Sequence, residues 1–189
     1  MTGPGAEARE EIVLASASPR RAKILASLGI RFIVVKTGAP ERDIPGDPLG
    51  TVAANAVAKG AAAARFAQGR RVLSADTVVS LDGRIYGKPA DAGEAARFLR
   101  ELSGRTHSVF TAVALDGEVK TAESLVKFRE LSGADIDSYI RRVNPLDRAG
   151  AYDIDESGDL LVESFTGEYE NIMGLPVSPL AEWGLCAKP

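Results

Sequence analysis

The sequence predicts an α/β fold in which helices flank a mixed β-sheet. Segments with helical periodicity alternate along the chain with short apolar segments that are typical of buried strands. Two Asp-Gly pairs, Asp82-Gly83 and Asp116-Gly117, each separate two such segments, and Asp-Gly suits the type I′ turn of an antiparallel hairpin. The sheet is therefore expected to combine parallel and antiparallel pairs. With 189 residues, 45% of them apolar, the chain can bury a substantial core as one compact unit or two small lobes.

Local signals place the elements of the first half of the chain. Ser18 is a typical N-cap, Pro19 suits a first helical turn and Gly29 suits the position after a helix end. A loop rich in Gly, Pro and Asp runs to about residue 50 and is long enough to carry a function. The predicted elements are, in order, strand 12–15, helix 19–28, strand 31–36, helix 51–66 and the paired strands 72–81 and 84–86.

The second half continues the alternation of helices and strands. Asp91 is expected to cap a helix that carries Glu94 at the capping-box position, and Ser132 to cap another that ends before Pro145. The predicted elements are, in order, the helix after Asp91, the paired strands 106–115 and 118–128, the helix after Ser132, strand 160–165 and a helical or turn region after Asn171.

The composition points to a small charged binding partner. A net charge of only −3 gives no broad basic surface for duplex DNA or an anionic membrane. The single cysteine, Cys186, cannot form an internal disulfide, which fits a reducing compartment and suggests the cytoplasm. No apolar segment is long enough to span a bilayer, and the first residues lack the pattern of a signal peptide. Residues 1–10 are expected to form a flexible tail.

Residues 16–21, Ser-Ala-Ser-Pro-Arg-Arg, place cations at a predicted helix start. Free backbone N–H groups attract anions there, and the helix dipole makes cations unfavourable in that turn. A bound polyphosphate would resolve the conflict, because Arg20 and Arg21 could clamp phosphate oxygens. Arg21 shares a helix face with apolar residues, so it should lean toward the sheet, whereas Lys23 points away. A solvated basic helix start is the alternative interpretation of this segment.

Two charged residues occupy otherwise apolar positions. Asp76 lies inside the predicted strand 72–81, and a buried carboxylate needs a partner, a metal or a raised pKa, all of which are common at active sites. The alternative is a structural carboxylate satisfied by backbone donors. Lys59 lies in the apolar stripe of helix 51–66, where it either meets a negative partner or extends its ammonium to water, and the spacing fits both.

Three further residues are candidates for the same site or for the core. Lys88 comes within one rung of Asp76 in the predicted hairpin, but strict alternation separates their faces unless Gly87 introduces a bulge; a plain surface pair is the alternative. Glu41 could join Asp76 in holding Mg²⁺, although a loop glutamate is normally just solvated. His107, the only histidine, lies in a predicted strand beside no obvious nucleophile, which favours a structural role.

Taken together, these segments resemble the Maf family of nucleotide pyrophosphatases from about Ile12 to the end of the chain. No single motif would settle the matter, but several matches in the family's order are not expected by chance. The matching motifs are Leu14-Ala15-Ser16-Ala17-Ser18-Pro19-Arg20-Arg21, Ser74-Ala75-Asp76-Thr77, Gly87-Lys88-Pro89, Leu102-Ser103-Gly104-Arg105-Thr106-His107 and Ala149-Gly150-Ala151-Tyr152.

The resemblance implies an elongated mixed sheet flanked by helices with a deep central cleft, as in enzymes that remove inosine triphosphate. It implies one domain over 11–189, formed as two lobes around the cleft, and a homodimer. It also implies hydrolysis of nucleoside triphosphates to the monophosphate and pyrophosphate with Mg²⁺, or Mn²⁺, as the metal. By position, Asp76 would activate water for attack at the α-phosphorus, and Glu41 would lie with Asp76 near the metal. The implied triphosphate-binding residues are Ser16, Arg20, Arg21, Lys59 and Lys88.

One residue that bears on the preferred base departs from the family pattern. Subgroups of the family prefer either dTTP and UTP or a methylated GTP, and Ile154 after the Ala-Gly-Ala-Tyr motif resembles the former, as do Arg20 and Thr77. That subgroup usually carries Gln just after the Ile, whereas this chain has Asp155, which removes two amide donors and adds a charge. The expected substrates are therefore dTTP and UTP, or modified nucleotides.

Two other functions compete with this hypothesis. The family's association with septum formation suggests a nucleotide-binding regulator of cell division with little or no catalysis. The chain retains every charged position expected of the enzyme, which ranks the regulator second. A kinase or phosphatase of unrelated type is disfavoured because neither a P-loop nor a kinase signature set occurs in the sequence.

Overall fold

The computed structural model describes residues 11–187 and places seven strands of this segment in one sheet. The strands are β1 (Ile12–Ala15), β2 (Phe32–Val34), β3 (Val72–Leu81), β4 (Arg84–Tyr86), β5 (Thr106–Leu115), β6 (Glu118–Phe128) and β7 (Val162–Thr166). Their order is β2-β1-β3-β5-β6-β7, with β4 paired to β3. β1 pairs in parallel with β2 and β3, and the remaining pairs are antiparallel. The predicted mixed α/β sheet is therefore confirmed.

Helices cover both faces of this sheet. They are α1 (Pro19–Ser27), α2 (Pro48–Ala64), α3 (Ala92–Leu102), α4 (Gly133–Val143), α5 (Tyr169–Met173) and α6 (Val177–Glu182). α2 packs on one face through small apolar residues such as Ala56 and Ala63. On the other face the apolar side chains form two clusters along the same strands. The first core joins α1 and α6 to Leu73 and Ala75 of β3, and the second core joins α3 and α4 to Val79 and Leu81.

Both predicted hairpins are confirmed. β3 and β4 pair from Leu81 and Arg84 outward, and β5 and β6 pair along their whole predicted lengths. In the turns, Asp82 has φ of 52° and Gly83 has φ of 78°. Asp116 and Gly117 likewise have φ of 52° and 92°. A type I′ turn requires positive φ at both central residues, and the two Asp-Gly pairs adopt it. These turns therefore set the register of the two strands in each hairpin.

Several element boundaries differ from the prediction. α2 begins at Pro48 rather than at residue 51, because the Asp47 side chain accepts the backbone N–H of Gly50 at 2.8 Å and Pro48 suits the first turn. Ser18 stands at the N-cap position of α1, but its side chain makes no capping hydrogen bond. Ser132 does cap α4, in a reciprocal capping box with Asp135.

The strands β2 and β7 are also shifted. β2 is three residues long instead of six, and β7 begins at Val162 because Gly158–Leu160 forms a 3₁₀ turn. The predicted tail, residues 1–10, lies outside the described residues, and the single domain with two lobes stays a prediction. Between residues 11 and 187, no helix is long and apolar enough to cross a membrane.

Candidate active site

A cleft of about 370 Å³ opens where β3 lacks a strand partner on one side. β1 pairs with β3 only as far as Ser74, and β4 pairs with it only from Val79 onward. Residues 75–78 therefore face a gap between the end of β1 and the end of β4. Because side chains alternate along a strand, Asp76 points toward the face covered by α2 and Thr77 toward the face covered by α1. Groups from both faces of the sheet thus reach one cleft.

Asp76 lies on the wall of this cleft and is only 6% exposed. Its Oδ2 accepts a hydrogen bond from Asn55 Nδ2 at 2.9 Å, and its Oδ1 accepts one from Lys59 Nζ at 2.5 Å. Both donors come from α2, where they are one turn apart on the same face. The carboxylate is therefore held in one orientation by two side chains of a single helix, and it is not satisfied by the backbone donors that the alternative interpretation required.

Lys59 has the negative partner that one of its two interpretations predicted. Its Nζ lies 2.5 Å from Asp76 Oδ1 and 2.7 Å from Glu41 Oε1, and its side chain is 12% exposed. Glu41 in turn meets Lys88 Nζ at 3.5 Å through its other oxygen. Burial raises the pKa of Glu41, but the hydrogen bond and charge of Lys59, together with Lys88, outweigh it and leave that pKa below its ordinary value.

Asn55 is a site residue that the sequence reasoning missed. Besides Asp76, it binds the backbone of Arg42 on both sides: its Oδ1 accepts the N–H at 2.9 Å and its Nδ2 donates to the C=O at 3.1 Å. Thr51, one turn earlier on α2, accepts the N–H of Ile44 at 2.8 Å. The loop that carries Glu41 is thereby tied to α2. The available signal was a polar residue one turn before Lys59 on the same stripe.

Lys88 reaches the site without the predicted bulge at Gly87. β4 ends at Tyr86, so Gly87 and Lys88 lie beyond the paired segment, and strand alternation no longer decides which way Lys88 points. The bulge was therefore an unnecessary assumption. Gly87 is instead held by Gly150, whose N–H donates to the Gly87 carbonyl at 3.1 Å.

Arg21 is buried under α1, as its helix position predicted. Its Nε donates to the Gly174 carbonyl at 2.8 Å, its Nη1 to Ser16 Oγ at 3.1 Å and its Nη2 to Thr77 Oγ1 at 3.1 Å. Lys23 is exposed, as predicted, and pairs with Asp155 at 2.5 Å. Arg21 therefore joins α1, β3 and the segment before α6 at the base of the cleft.

Thr77 can present only an acceptor to the cleft. Thr111 donates its hydroxyl hydrogen to the Asn171 carbonyl at 3.1 Å, so in the 3.0 Å contact between the two threonine hydroxyls Thr77 must be the donor. Arg21 donates to Thr77 at the same time. Since a hydroxyl has one hydrogen and two lone pairs, one lone pair of Thr77 is left for another molecule.

The loop between α4 and β7 contributes Asp153, a second residue to which the sequence reasoning gave no role. Its side chain is 4% exposed, and its Oδ2 accepts Arg20 Nη1 at 3.2 Å and Arg148 Nε at 2.9 Å. Asp155 stands two residues further on but does not line the cleft; it pairs with Lys23 outside it. The sequence analysis singled out Asp155 but gave Asp153 no role, because the partner that ties Asp153 to the cleft, Arg20, is 133 residues away.

His107 lies in the second core rather than in the cleft. It is 2% exposed, packs edge-on against Phe128 and Tyr152, and shares a 3.0 Å hydrogen bond with the Tyr152 hydroxyl. Burial lowers its pKa to about 4. The geometry agrees with the structural role predicted for it. The other predicted site residues, apart from Asp155, all line the cleft; they are Ser16, Arg20, Arg21, Glu41, Lys59, Asp76, Thr77 and Lys88.

The donor set suits a divalent cation together with phosphate. Oxygens of Glu41 and Asp76 converge on one ammonium nitrogen, so one cation can lie between the two carboxylates. Mg²⁺ is commonly held by one or two carboxylates and completes its coordination with water and substrate phosphates. Among the described residues there is no group of three or more His, Cys, Asp or Glu side chains arranged to hold a metal alone.

Comparisons with known proteins find relatives over nearly the whole chain. The dTTP/UTP pyrophosphatase of Geobacter metallireducens is 42% identical over 178 residues, covering 90% of this chain and 93% of its own. The enzymes of the same name from Moorella thermoacetica and Aquifex aeolicus are 43% and 40% identical over 182 and 173 residues. They cover 91% and 89% of this chain, and 92% and 91% of their own.

Similarity to solved structures is lower. The Staphylococcus aureus Ham1 protein aligns over 79% of this chain and 90% of its own at 18% identity, with a TM-score of 0.48 that is too low to bear on function.

The family model described as Maf-like protein matches residues 11–183, almost the whole described segment. The chain belongs to the Maf-like protein family.

Proposed function

We propose that this protein hydrolyses nucleoside triphosphates, dTTP and UTP foremost, to the nucleoside monophosphate and pyrophosphate. The observation that carries the proposal is a buried carboxylate, Asp76, on the wall of a cleft that Arg20, Lys59 and Lys88 also line. Such a cleft places a base beside cations that can neutralise a triphosphate. The names of the relatives, which are about 40% identical over nearly the whole chain, support it.

In this proposal, Asp76 accepts a proton from the attacking water. The water oxygen forms a bond to the α-phosphorus while the bond from that phosphorus to the bridging oxygen breaks, and pyrophosphate leaves as an anion. Asn55 orients the carboxylate by donating to its Oδ2. The triphosphate is bound by cations and a hydroxyl around the cleft, namely Ser16, Arg20, Arg21, Lys59 and Lys88.

Glu41 and Asp76 would hold a divalent cation, Mg²⁺ or Mn²⁺. When bound, it would supply positive charge to the phosphate oxygens. A cytoplasmic location and a homodimer belong to the same proposal. The family resemblance supports both, and the single cysteine of the sequence, Cys186, which cannot form an internal disulfide, supports the first.

Thr77 is compatible with the proposed bases. A hydroxyl with a lone pair left to accept can receive the N3–H of uracil or thymine, but the 4-amino group of cytosine could donate to it as well, so the choice of dTTP and UTP rests on the names of the relatives. Arg20 and Asp155 are the other proposed specificity residues. Because Asp155 lies outside the cleft lining, its influence would pass through Lys23 and the backbone of the loop it shares with Asp153.

A substrate panel tests the function. Purified protein with Mg²⁺ should release pyrophosphate, and not orthophosphate, from dTTP and UTP, with dCTP and methylated GTP as comparisons. Orthophosphate as the only product would contradict the proposal. Tight nucleotide binding without hydrolysis of any triphosphate would favour the regulator of cell division, which no feature of the cleft favours at present.

Asp76→Asn tests the role of the base. The amide keeps the size of the side chain but cannot accept the proton, so kcat should fall by about 10²- to 10⁴-fold. Nucleotide binding, measured by calorimetry in the presence of EDTA, should remain measurable. Unchanged turnover would remove Asp76 from this role.

A further inference from the structure

The position between Glu41 and Asp76 already holds a positive charge, that of Lys59. The ammonium contacts one oxygen of each carboxylate, at 2.7 Å and 2.5 Å, and the Lys59 side chain as a whole is 12% exposed. With Lys88 on the second oxygen of Glu41, two carboxylates face two lysines. Within this group of four residues, the chain's own side chains therefore balance one another's charges.

The backbones that carry the two carboxylates are held in place. Glu41 lies on the loop that Asn55 and Thr51 tie to α2, and Asp76 lies in the middle of β3, where it pairs with Ala112 of β5. Lys59 carries its charge on a flexible four-carbon stem with three rotatable donors. Of the three charged groups, the ammonium has the longest stem and can move furthest while the backbone stays in place.

A divalent cation that enters this position alone must displace the ammonium. The displaced charge would then be left poorly solvated beside the cation, which is unfavourable. A triphosphate changes the balance, since its oxygens offer Lys59 a new partner in the same cleft. We propose that Lys59 occupies the cation position until a polyphosphate enters, so that the divalent cation binds together with the nucleotide and not before it. This inference rests on the proposed function, because it takes Glu41 and Asp76 as the metal-binding pair.

The binding of Mn²⁺ alone to the full-length protein tests the proposal. Removal of the ammonium in Lys59→Met leaves Glu41 Oε1 and Asp76 Oδ1 available to the metal, so this variant should bind Mn²⁺ about tenfold or more tightly than the wild type by calorimetry. Lys23→Met is the matched control, since it also removes a lysine paired to an aspartate, but on the exposed side of α1. It should bind Mn²⁺ like the wild type. Equal affinity of the wild type and Lys59→Met would overturn the proposal.

Anomalous diffraction gives a second measurement that does not depend on how well the variant folds. Wild-type crystals soaked with Mn²⁺ alone should show no anomalous peak between Glu41 and Asp76, and crystals soaked with Mn²⁺ and a non-hydrolysable triphosphate should show one. A peak in the first soak would overturn the inference even if dTTP were hydrolysed. Absence of any hydrolysis, with the expected Mn²⁺ difference intact, would instead remove only the proposed function.

Discussion

One oxygen of Asp153 accepts hydrogen bonds from two arginines, Arg20 and Arg148, that come from different segments. Arg148 is further held by Asp147 and Glu156, and the other oxygen of Asp153 accepts the N–H of Asp155 at 3.0 Å. Hydrogen bonds to both of its oxygens therefore fix the position of the Asp153 carboxylate. Its hydrogen bond to Arg20 restricts where the Arg20 side chain can lie.

Asp153→Asn tests this positioning role. Loss of the charge should free Arg20 and raise KM for the nucleotide by about tenfold, with kcat changed much less, because a charge-assisted hydrogen bond is lost at a group that binds and does not react. Glu156→Gln, which removes a different carboxylate from Arg148, is the control and should leave KM near the wild-type value. A fall in kcat with unchanged KM would contradict the role.

The buried His107 should make the free energy of unfolding depend on pH. Its pKa is about 4 in the folded protein against an ordinary value of 6.5, so between these values the unfolded chain binds a proton that the folded protein does not. The free energy of unfolding should therefore fall as the pH drops from 6.5 to 4, by up to about 3 kcal/mol from this residue. Urea titrations of the wild type and His107→Gln at several pH values check it; equal losses in both proteins would contradict it.

At the scale of elements, Gly150 packs closely against Val79 of β3 and so connects two parts of the cleft wall. Its φ is +68°, and a Cβ there would lie 2.8 Å from Cγ2 of the buried Val79. Gly150→Ala should therefore combine backbone strain of about 1–2 kcal/mol with overpacking of about 1–3 kcal/mol. Gly83, with φ of +78° and open space around it, is the matched position, and Gly83→Ala should show the strain alone.

Urea unfolding of the two glycine variants separates these effects. Equal destabilisation would show that the contact with Val79 relaxes freely. The Gly150 variant should also bind nucleotide less well, because Gly150 holds the Gly87 carbonyl next to Lys88.

Sequence reasoning succeeded where the determining interactions are local. The Asp-Gly turns and the cap at Ser132 act within a few residues, so both hairpins and α4 could be predicted with their boundaries. Asp76 and Lys59 could be singled out because a charge interrupts an apolar pattern. Asn55 and Asp153 could not, since polar side chains in those positions are ordinary until the fold supplies partners 21 and 133 residues away.

At the scale of the whole molecule, the two cores on one face share β3 and β5. Leu73 and Val113 belong to the first core, while Val79 and Val109 of the same strands belong to the second. Neither core can lose these strands without disrupting the other, so we expect a single cooperative unfolding transition. The strand order itself could not be predicted. β1 and β3 are paired, but more than fifty residues, which form α1, β2, α2 and their loops, separate them in the sequence.

Two probes check this cooperativity. Trp183, the only tryptophan, packs against the first core, so its fluorescence reports that side alone, whereas far-UV circular dichroism reports the whole chain. The two urea transitions should coincide. Separate midpoints would show that the two sides of the cleft unfold independently.

The gap between β1 and β4 also exposes the edge of a central strand to whatever enters the cleft. Within residues 11–187, no strand pairs with residues 75–78 on the side away from β5, so backbone amide and carbonyl groups on that side border the cleft. A ligand can therefore form hydrogen bonds with the main chain as well as with side chains. Alanine scanning would not detect such contacts, whereas replacing an amide by an ester at one of these positions would.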